Sequence, residues 1–371
     1  MSSALAGLRI IDFSRVLAGP LATMVLGDLG ADVVKVEHPE RGDDTRAWGP
    51  PYDDDGVATY YLGLNRNKRS IALDLKDPAD LAEARRLCRT ADVVVDNWRP
   101  GKDFGLDHDS LAAENPGVIT CSITGFGSTG PGAHLGGYDF LVQAMSGLMS
   151  ITGPAGGEPH KVGVALVDKS AGLYAAIAIL AALHSRETSG EGQHIEVSLM
   201  ASAMAGLLNV GSGYLNTAEI PARHGNRHPS IAPYQDFPTA DDRIAVAVGT
   251  EKLWRRLCEA LERPDLEGDA RFITNERRVA NVDALDATLS ETFATRPATE
   301  WIDLLRSAGI PAGPINDVAA AFASAEALGL DPVVDLDGFR SVRPPIRMSG
   351  TPPTVRRPPP DLDEHSDEIR A

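Results

Sequence analysis

Through the first half of the chain, short runs of β-branched and apolar residues alternate with longer segments whose apolar positions recur at helical spacing. Leu8 to Phe13, Asp32 to Val36, Asp92 to Val95 and Val118 to Ile123 read as strands, with helices over Gly19 to Leu29 and Ala79 to Thr90. That βαβ rhythm predicts a parallel sheet covered by helices on both faces, and such sheets bind ligands at the carboxyl ends of their strands. Pro20 and the Gly30-Ala31-Asp32 turn are ordinary start and stop signals for the first helix.

Further on, the apolar run Val162 to Val167 reads as extended and hands over at Asp168 to a long alanine-rich helix starting near Lys169. Gly190 to Gln193 makes a turn, Ile195 to Val197 reads as a strand and Leu199 to Leu208 as a helix. A stretch rich in Gly, Asn, Pro and His follows. Beyond it, an edge-like strand over Arg243 to Val248 and amphipathic helices around Lys252 to Leu261, Val282 to Thr292 and Thr299 to Ser307 predict a smaller α+β unit. An alanine-rich helix then leads to a Pro-rich tail, Arg343 to Pro360, whose spacing suits extended wrapping. The expected organisation is a large α/β domain over 1–210, a linker over 211–233, a small α+β domain over 234–320, and a return to the large domain over 321–371.

With 371 residues the chain is long enough to bury a large core without disulfide or metal staples. Its formal charge of -17 argues against nucleic acid or an anionic membrane as the main partner, so an anionic ligand must be held by local cations. Cys88, Cys121 and Cys258 are far apart and form no CxxC, which suggests neither a disulfide framework nor a zinc site and fits a reducing cytoplasm. The N-terminus lacks the basic-then-apolar pattern of a signal peptide and reads as a mature start. The longest apolar stretch, Ala171 to Leu183, is shorter than the roughly twenty residues of a membrane span and reads as a buried core helix.

Asp168 is the residue with most to say about chemistry. At a strand-to-helix junction an aspartate can cap the helix by accepting from the free N–H groups of its first turn. It can equally be a carboxylate nucleophile, and a helix N-terminus would help keep it ionised. Position alone leaves both readings open.

Other motifs narrow the field. Gly125-Phe126-Gly127-Ser128-Thr129-Gly130 follows a predicted strand as a dinucleotide fingerprint would, but Pro131, Gly132, Gly136 and Gly137 forbid the helix such a fingerprint needs. The signatures of serine hydrolases, zinc proteases and phosphoryl-transfer enzymes are missing. His224 and His228 lie four apart, yet Gly225 and Pro229 make them loop polarity rather than a metal-bearing helix face. The cluster Asn65-Arg66-Asn67-Lys68-Arg69 is a solvated turn or a phosphate site. Asn97-Trp98-Arg99-Pro100-Gly101 sits just past a strand, where Trp98 offers a stacking face and Arg99 a phosphate fork.

Taken together, these segments resemble the class III CoA-transferases, the family that includes formyl-CoA transferase and carnitine CoA-transferase. The resemblance runs nearly end to end and rests on Val16-Leu17-Ala18-Gly19-Pro20, Gly30 to Glu37, Asn67-Lys68-Arg69-Ser70, Leu73 to Lys76, Asn97 to Gly101, Thr124 to Gly127, Gly137-Tyr138-Asp139 and the Asp168 junction. It implies a large Rossmann-like parallel-sheet domain plus a smaller α+β domain, in a homodimer of interlocked rings. It further implies that Asp168 is the catalytic nucleophile, that Leu17, Ala18, His38, Leu73, Asp74, Leu75, Lys76, Asn97, Trp98, Arg99, Gly136, Gly137 and Tyr138 line CoA, and that Asp139 lies near the reacting centre. His38 stands where formyl-CoA transferase has an arginine and Leu17 where it has a glutamine. The four-glycine run of that enzyme's small domain has only Gly249-Thr250 as a counterpart, so formate and oxalate are not the expected substrates.

The implied activity moves CoA from an acyl-CoA to a free carboxylic acid, with CoA thioesters as substrates and no tightly bound cofactor, metal or redox group. A carboxylate of pKa ~4 displacing a thiolate whose conjugate acid has pKa ~8.5 runs uphill to a mixed anhydride, so the thiolate must stay bound for the next step. Backbone N–H groups at the helix start and in the glycine loops are suited to hold the oxyanions. A CoA-thioester racemase of the same fold is the alternative; related racemases carry histidine where this chain has Tyr138, and a phenol of pKa ~10 is a poor base near neutrality.

Overall fold

The computed structural model describes residues 3–371, which divide into two compact units. The first holds the residues up to Met149, Lys161–Ile220 and Asp331–Ala371; the second holds Ser150–His160 and Pro221–Leu330.

In the first unit, chain order runs β1 (Arg9–Asp12), α1 (Ala18–Asp28), β2 (Asp32–Glu37), α2 (Thr59–Leu62), β3 (Lys68–Ala72), α3 (Pro78–Arg89), β4 (Val93–Asp96), α4 (His108–Ala112), β5 (Ile119–Thr124), α5 (Asp139–Met145), the short α6 (Leu148–Ile151), whose last two residues are assigned to the second unit, α7 (Leu166–Ser189), β6 (His194–Ser198), α8 (Leu199–Gly206) and α9 (Leu208–Thr217). The six strands pair in parallel in the order β3-β2-β1-β4-β5-β6. The order reverses between β1 and β4, the switch point at which ligands of open α/β sheets bind. Near-continuous apolar strands such as Val93-Val94-Val95 are what a sheet buried on both faces demands.

Helix α7 is long and apolar enough to cross a bilayer by length and composition alone. Here it is a core helix: Ala171, Ala175, Ala176, Ile179 and Ala182 are buried with Ala18, Ala22 and Leu26 of α1 and with residues of β4, β5 and β6. Alanines and Gly172 permit that approach, since a Cβ at Gly172 would lie 2.5 Å from the Ala18 carbonyl oxygen. The helix starts at Leu166, so the run before it is not a strand and Asp168 lies within the first turn rather than ahead of it.

The second unit contains β7 (Tyr234–Pro238), β8 (Arg243–Ala247), α10 (Glu251–Ala260), α11 (Pro264–Gly268), α12 (Asn275–Ala280), α13 (Val282–Phe293), α14 (Ala298–Ser307), β9 (Ala312–Pro314) and α15 (Val318–Ala327). Its sheet is antiparallel in the order β7-β8-β9, so the strand read as an edge is the central one. Three differences from the sequence reading concern boundaries. Helix α9 continues to Thr217 inside the stretch read as linker, and the chain rejoins the first unit only at Asp331. Residues 150–160, which no composition shift marks, are tied into the second unit: Gly225 N donates to the Gly153 carbonyl at 3.1 Å, and Arg223 donates to the Ser150 and Gly157 carbonyls at 2.8 and 2.6 Å.

The chain closes with a hairpin, β10 (Val333–Leu336) and β11 (Phe339–Val342), an extended tail and a last turn, α16 (Ser366–Arg370). The basic cluster at 65–69 explains the tail's path. Asn65, Arg66, Asn67 and Lys68 are buried, so the cluster is neither the solvated turn nor the phosphate site read from the sequence. Arg66 forks onto Asp28 at 2.9 and 2.6 Å and also donates to the Val342 carbonyl at 3.1 Å. The Asn67 amide donates to Asp28 at 2.8 Å and to the Thr354 carbonyl at 2.9 Å, while its oxygen accepts from the Arg356 and Arg357 N–H groups at 2.6 and 3.1 Å. Its φ of 62° is one asparagine tolerates better than most residues. Asn67→Ala should therefore cost about 2–4 kcal/mol in denaturant unfolding, from several buried bonds and an unfavourable φ, and should make residues 343–371 the first site of limited proteolysis. Unchanged tail protection would contradict this clasp.

Candidate active site

A cleft of about 530 Å³ opens in the first unit at the carboxyl ends of β1 to β5. It is lined by the segment after β1 (Phe13, Arg15, Val16, Leu17, Ala18), by Glu37, His38 and Arg41 after β2, by Leu73, Asp74, Leu75 and Lys76 after β3, and by Asn97 to Pro100 after β4. Thr124, Gly125 and Gly127 after β5, the Leu135 to Tyr138 loop and Asp168 complete it. Every residue that the resemblance assigns to CoA lines this one cleft together with Asp168, although they come from positions 17 to 168. Asp139 does not line it.

Several of these side chains shape the walls rather than face the cleft freely. The Asp74 carboxylate accepts from Lys76 N at 3.0 Å and closes the 74–76 turn. Asn97 clamps the Arg15 backbone from both sides, accepting from its N–H at 3.0 Å and donating to its carbonyl at 2.7 Å. Trp98 is packed between Phe13 and Phe104, with ring centroids 5.1 and 5.5 Å away. The turn carrying it is pinned by Asp96, which accepts from Trp98 N at 3.2 Å and from the Ser122 hydroxyl at 2.7 Å. Burial pushes the Asp96 carboxyl up to about 6. His38 Nδ1 accepts from Glu40 N at 3.2 Å.

The Leu135 to Tyr138 loop reaches the cleft because two glycines meet. A Cβ at Gly125 would lie 2.6 Å from the Gly137 Cα, and one at Gly137 would collide with the Gly125 Cα. No helix opens on the Gly125 to Gly130 run. Among the described residues, the backbone N–H groups of Gly136 and Gly137 meet no acceptor.

The mouth of the cleft is basic despite the acidic chain. Arg15 is paired with Asp44 at 3.1 Å, but Arg41, Lys76, Arg99 and Lys102 have no carboxylate within salt-bridge distance among the described residues. Four exposed cations converging on one opening suit a polyanion. The sequence reading passed over Arg41 and Lys102; only their proximity to the flagged strand ends could have suggested them.

Asp168 sits 9% exposed on the third residue of α7. It does not cap that helix. The cap comes from Asp139, whose Oδ1 accepts from Val167 N at 2.7 Å and from Asp168 N at 3.2 Å. Gln143, fully buried, donates to the other Asp139 oxygen at 2.6 Å and accepts from Val162 N at 2.9 Å, tying the approach segment to the same support. Among the described residues no group donates a hydrogen bond to the Asp168 carboxylate. Burial first, and the Asp139 charge second, push it up to about 7. The sequence reading had the helix end keeping Asp168 ionised; the structure reverses the sign, because Asp139 takes the favourable position. Tyr60, which the sequence reading also missed, lies within electrostatic reach. Burial and the charges of Asp168, Asp139 and Asp43 lift its phenol to about 12, so it stays protonated.

No cluster of metal-ligating side chains occurs among the described residues. Comparison with known proteins points one way. The sequence model of "CoA-transferase family III" matches residues 5–366. A succinate–glutarate CoA-transferase of Agrobacterium fabrum is 46% identical over 99% of this chain and 95% of its own length. A succinyl-CoA:glutarate CoA-transferase of Mus musculus is 42% identical over 98% of this chain and 85% of its own. The crystal structure of a CAIB/BAIF family protein from Brucella suis superposes with a TM-score of 0.90 at 43% identity, covering 100% of this chain and 99% of that one. The chain therefore belongs to CoA-transferase family III and is an enzyme that moves CoA from an acyl-CoA thioester to a free carboxylic acid.

Proposed function

We propose that Asp168 is the nucleophile of this transfer and that the acyl donor and acceptor are short dicarboxylic acids of the succinate and glutarate class. The observation that carries the first half is a buried carboxylate to which no described residue donates a hydrogen bond, lining the same cleft as the basic mouth. The second half is drawn from the acids named for two relatives at 46% and 42% identity. CoA lies along Leu17, Ala18, His38, Leu73 to Lys76, Asn97 to Arg99 and Gly136 to Tyr138, with its phosphates at the cationic mouth.

The chemistry proceeds in four displacements. Asp168 attacks the acyl carbonyl and expels the CoA thiolate, forming an acyl–aspartyl anhydride. The retained thiolate attacks the aspartyl carbonyl, releases the first acid as its carboxylate and leaves an aspartyl–CoA thioester. The incoming carboxylate attacks that thioester, expels the thiolate and forms a new anhydride. The thiolate then takes the new acyl group and frees Asp168. A carboxyl near 7 stands closer to the thiol's ~8.5 than an ordinary carboxyl near 4, so its first displacement is less uphill. The oxyanions need donors, and the helix-end N–H groups are occupied by Asp139. The open N–H groups of Gly136 and Gly137 are the better candidates.

A homodimer of interlocked rings extends this reading. Its support is the apolar surface left on the first unit, where Ile177 of α7 is 61% exposed, Leu208 and Leu215 of α9 are 73% and 81% exposed, and Ile220 beyond α9 is 86% exposed. Three free, buried thiols fit a cytoplasmic setting. A dimeric mass by light scattering that persists on dilution is expected; a monomer would overturn the interlocked assembly.

Incubation with succinyl-CoA and hydroxylamine should convert Asp168 to its hydroxamate, read by peptide mass spectrometry, and Asp168→Ala should show no adduct. An unmodified Asp168 alongside measurable α-proton exchange would favour a racemase instead. Glutarate and succinate should exceed monocarboxylic acceptors at least tenfold in kcat/KM.

The pH dependence follows from the raised carboxyl. The acid limb of kcat/KM should have its midpoint near 7. Asp139→Asn, which keeps an oxygen for the helix cap while removing the charge, should move that midpoint down. In stability the same shift has the opposite consequence: a raised folded-state pKa stabilises below the ordinary carboxylate range and loses that contribution as pH rises through about 7. Asp168→Asn should therefore raise the melting temperature more at pH 8 than at pH 4.

A further inference from the structure

The segment Ser14 to Leu17 leads from β1 into α1, and its Arg15, Val16 and Leu17 form part of one wall of the cleft. Its centre is strained: Val16, a β-branched residue, adopts φ 74°, a region such side chains rarely enter. Separate partners hold several backbone groups of the segment. The Ser14 carbonyl accepts from Lys35 Nζ at 3.0 Å, Asn97 clamps Arg15, and the Val16 N–H donates to both oxygens of Asp43 at 3.2 and 3.3 Å.

Lys35 and Asp43 pair with each other at 2.8 Å and are completely buried. Asp43 is fixed in turn by Thr45, whose N–H and hydroxyl donate to it at 2.9 and 2.8 Å. A second buried pair, Asp12 with Lys68 at 3.0 Å, lies alongside, with Asp12 accepting from Ser14 N at 2.9 Å. None of Asp12, Lys35, Asp43 and Lys68 lines the cleft. Burying two ion pairs is a poor way to add stability, since apolar residues of similar volume often do better. What this layer does supply is a set of fixed partners for a backbone that would otherwise relax.

We propose that the Lys35–Asp43 pair is a positioning device for the acyl-CoA cleft: it locks Val16 in the left-handed conformation and so sets where Leu17 and Ala18 meet the substrate. This rests on the reading of the cleft as the CoA site. A conformation that strained persists only while its surroundings over-determine it, so loosening them lets the binding wall shift.

A double-mutant cycle on purified, folded protein tests it, reading CoA affinity by calorimetry and KM and kcat for acyl-CoA. Asp43→Asn should raise Kd and KM at least tenfold and change kcat less than threefold. Glycine enters the left-handed region freely, so in a Val16→Gly background the loss caused by Asp43→Asn should fall below threefold. A merely structural role would give no such rescue. Should Asp43→Asn fail to fold, Thr45→Val takes its place in the same cycle, with a smaller loss and the same rescue. An undiminished loss in the glycine background, or no loss at all, overturns the inference. Arg99→Ala separates the two readings: if it leaves CoA affinity unchanged the cleft assignment itself fails, whereas a loss there without one at Asp43 sinks the positioning role alone.

Discussion

Two carboxylates compete for the start of one helix, and the outcome governs the chemistry of the molecule. Asp139 takes the N–H groups of Val167 and Asp168, which leaves Asp168 buried beside a like charge and, among the described residues, without a donor. A helix N-terminus ordinarily favours an anion. Here that benefit goes to Asp139, and Asp168, the proposed nucleophile, is left poorly stabilised as an anion. The same arrangement fixes its direction, since Gln143 holds Asp139 and Val162 together. Poor ground-state stabilisation and firm placement are what a carboxylate needs in order to displace a thiolate.

The rest of the first unit serves that placement. Helix α7 is held by small residues packed against α1, so its first turn has little freedom to shift. The sheet's switch point brings the ends of β1 and β4 together, and Asn97 ties them through the Arg15 backbone. A buried ionic layer bonds to that wall, and Arg66 and Asn67, next in the chain to Lys68 of that layer, receive the C-terminal tail. The motif Asn67-Lys68-Arg69-Ser70, one basis of the resemblance, thus belongs to the scaffold and not to the cleft.

The α/β architecture of the first unit was legible because parallel strands buried on both faces must be apolar runs separated by amphipathic helices. Part of the cleft was legible for a related reason: sheet geometry places ligands after strand ends, as at Asn97 to Arg99, whereas Leu17 and the Gly136 to Tyr138 loop came only from the family resemblance and Gly125 was not singled out for the cleft. What the sequence concealed depends on contacts between distant positions. Nothing local distinguishes Asp139 from Asp168 as the capping acid; they are 29 residues apart and only the folded backbone decides. Nor does composition show that Asn67 will bond residues 354 to 357, since a run of charged and amide residues looks solvated until its partners are known. Residues 150–160 join the second unit through hydrogen bonds to Arg223 and Gly225, again across some seventy positions.

The central claim is that burial and Asp139 together make Asp168 a carboxyl that titrates near neutrality. Carbon-13 NMR of the aspartate carboxyl groups, with the Asp168 signal assigned by its loss in Asp168→Asn, measures this directly. The account predicts a midpoint near 7 in the free enzyme. A midpoint near 4, the ordinary carboxylate value, would contradict it.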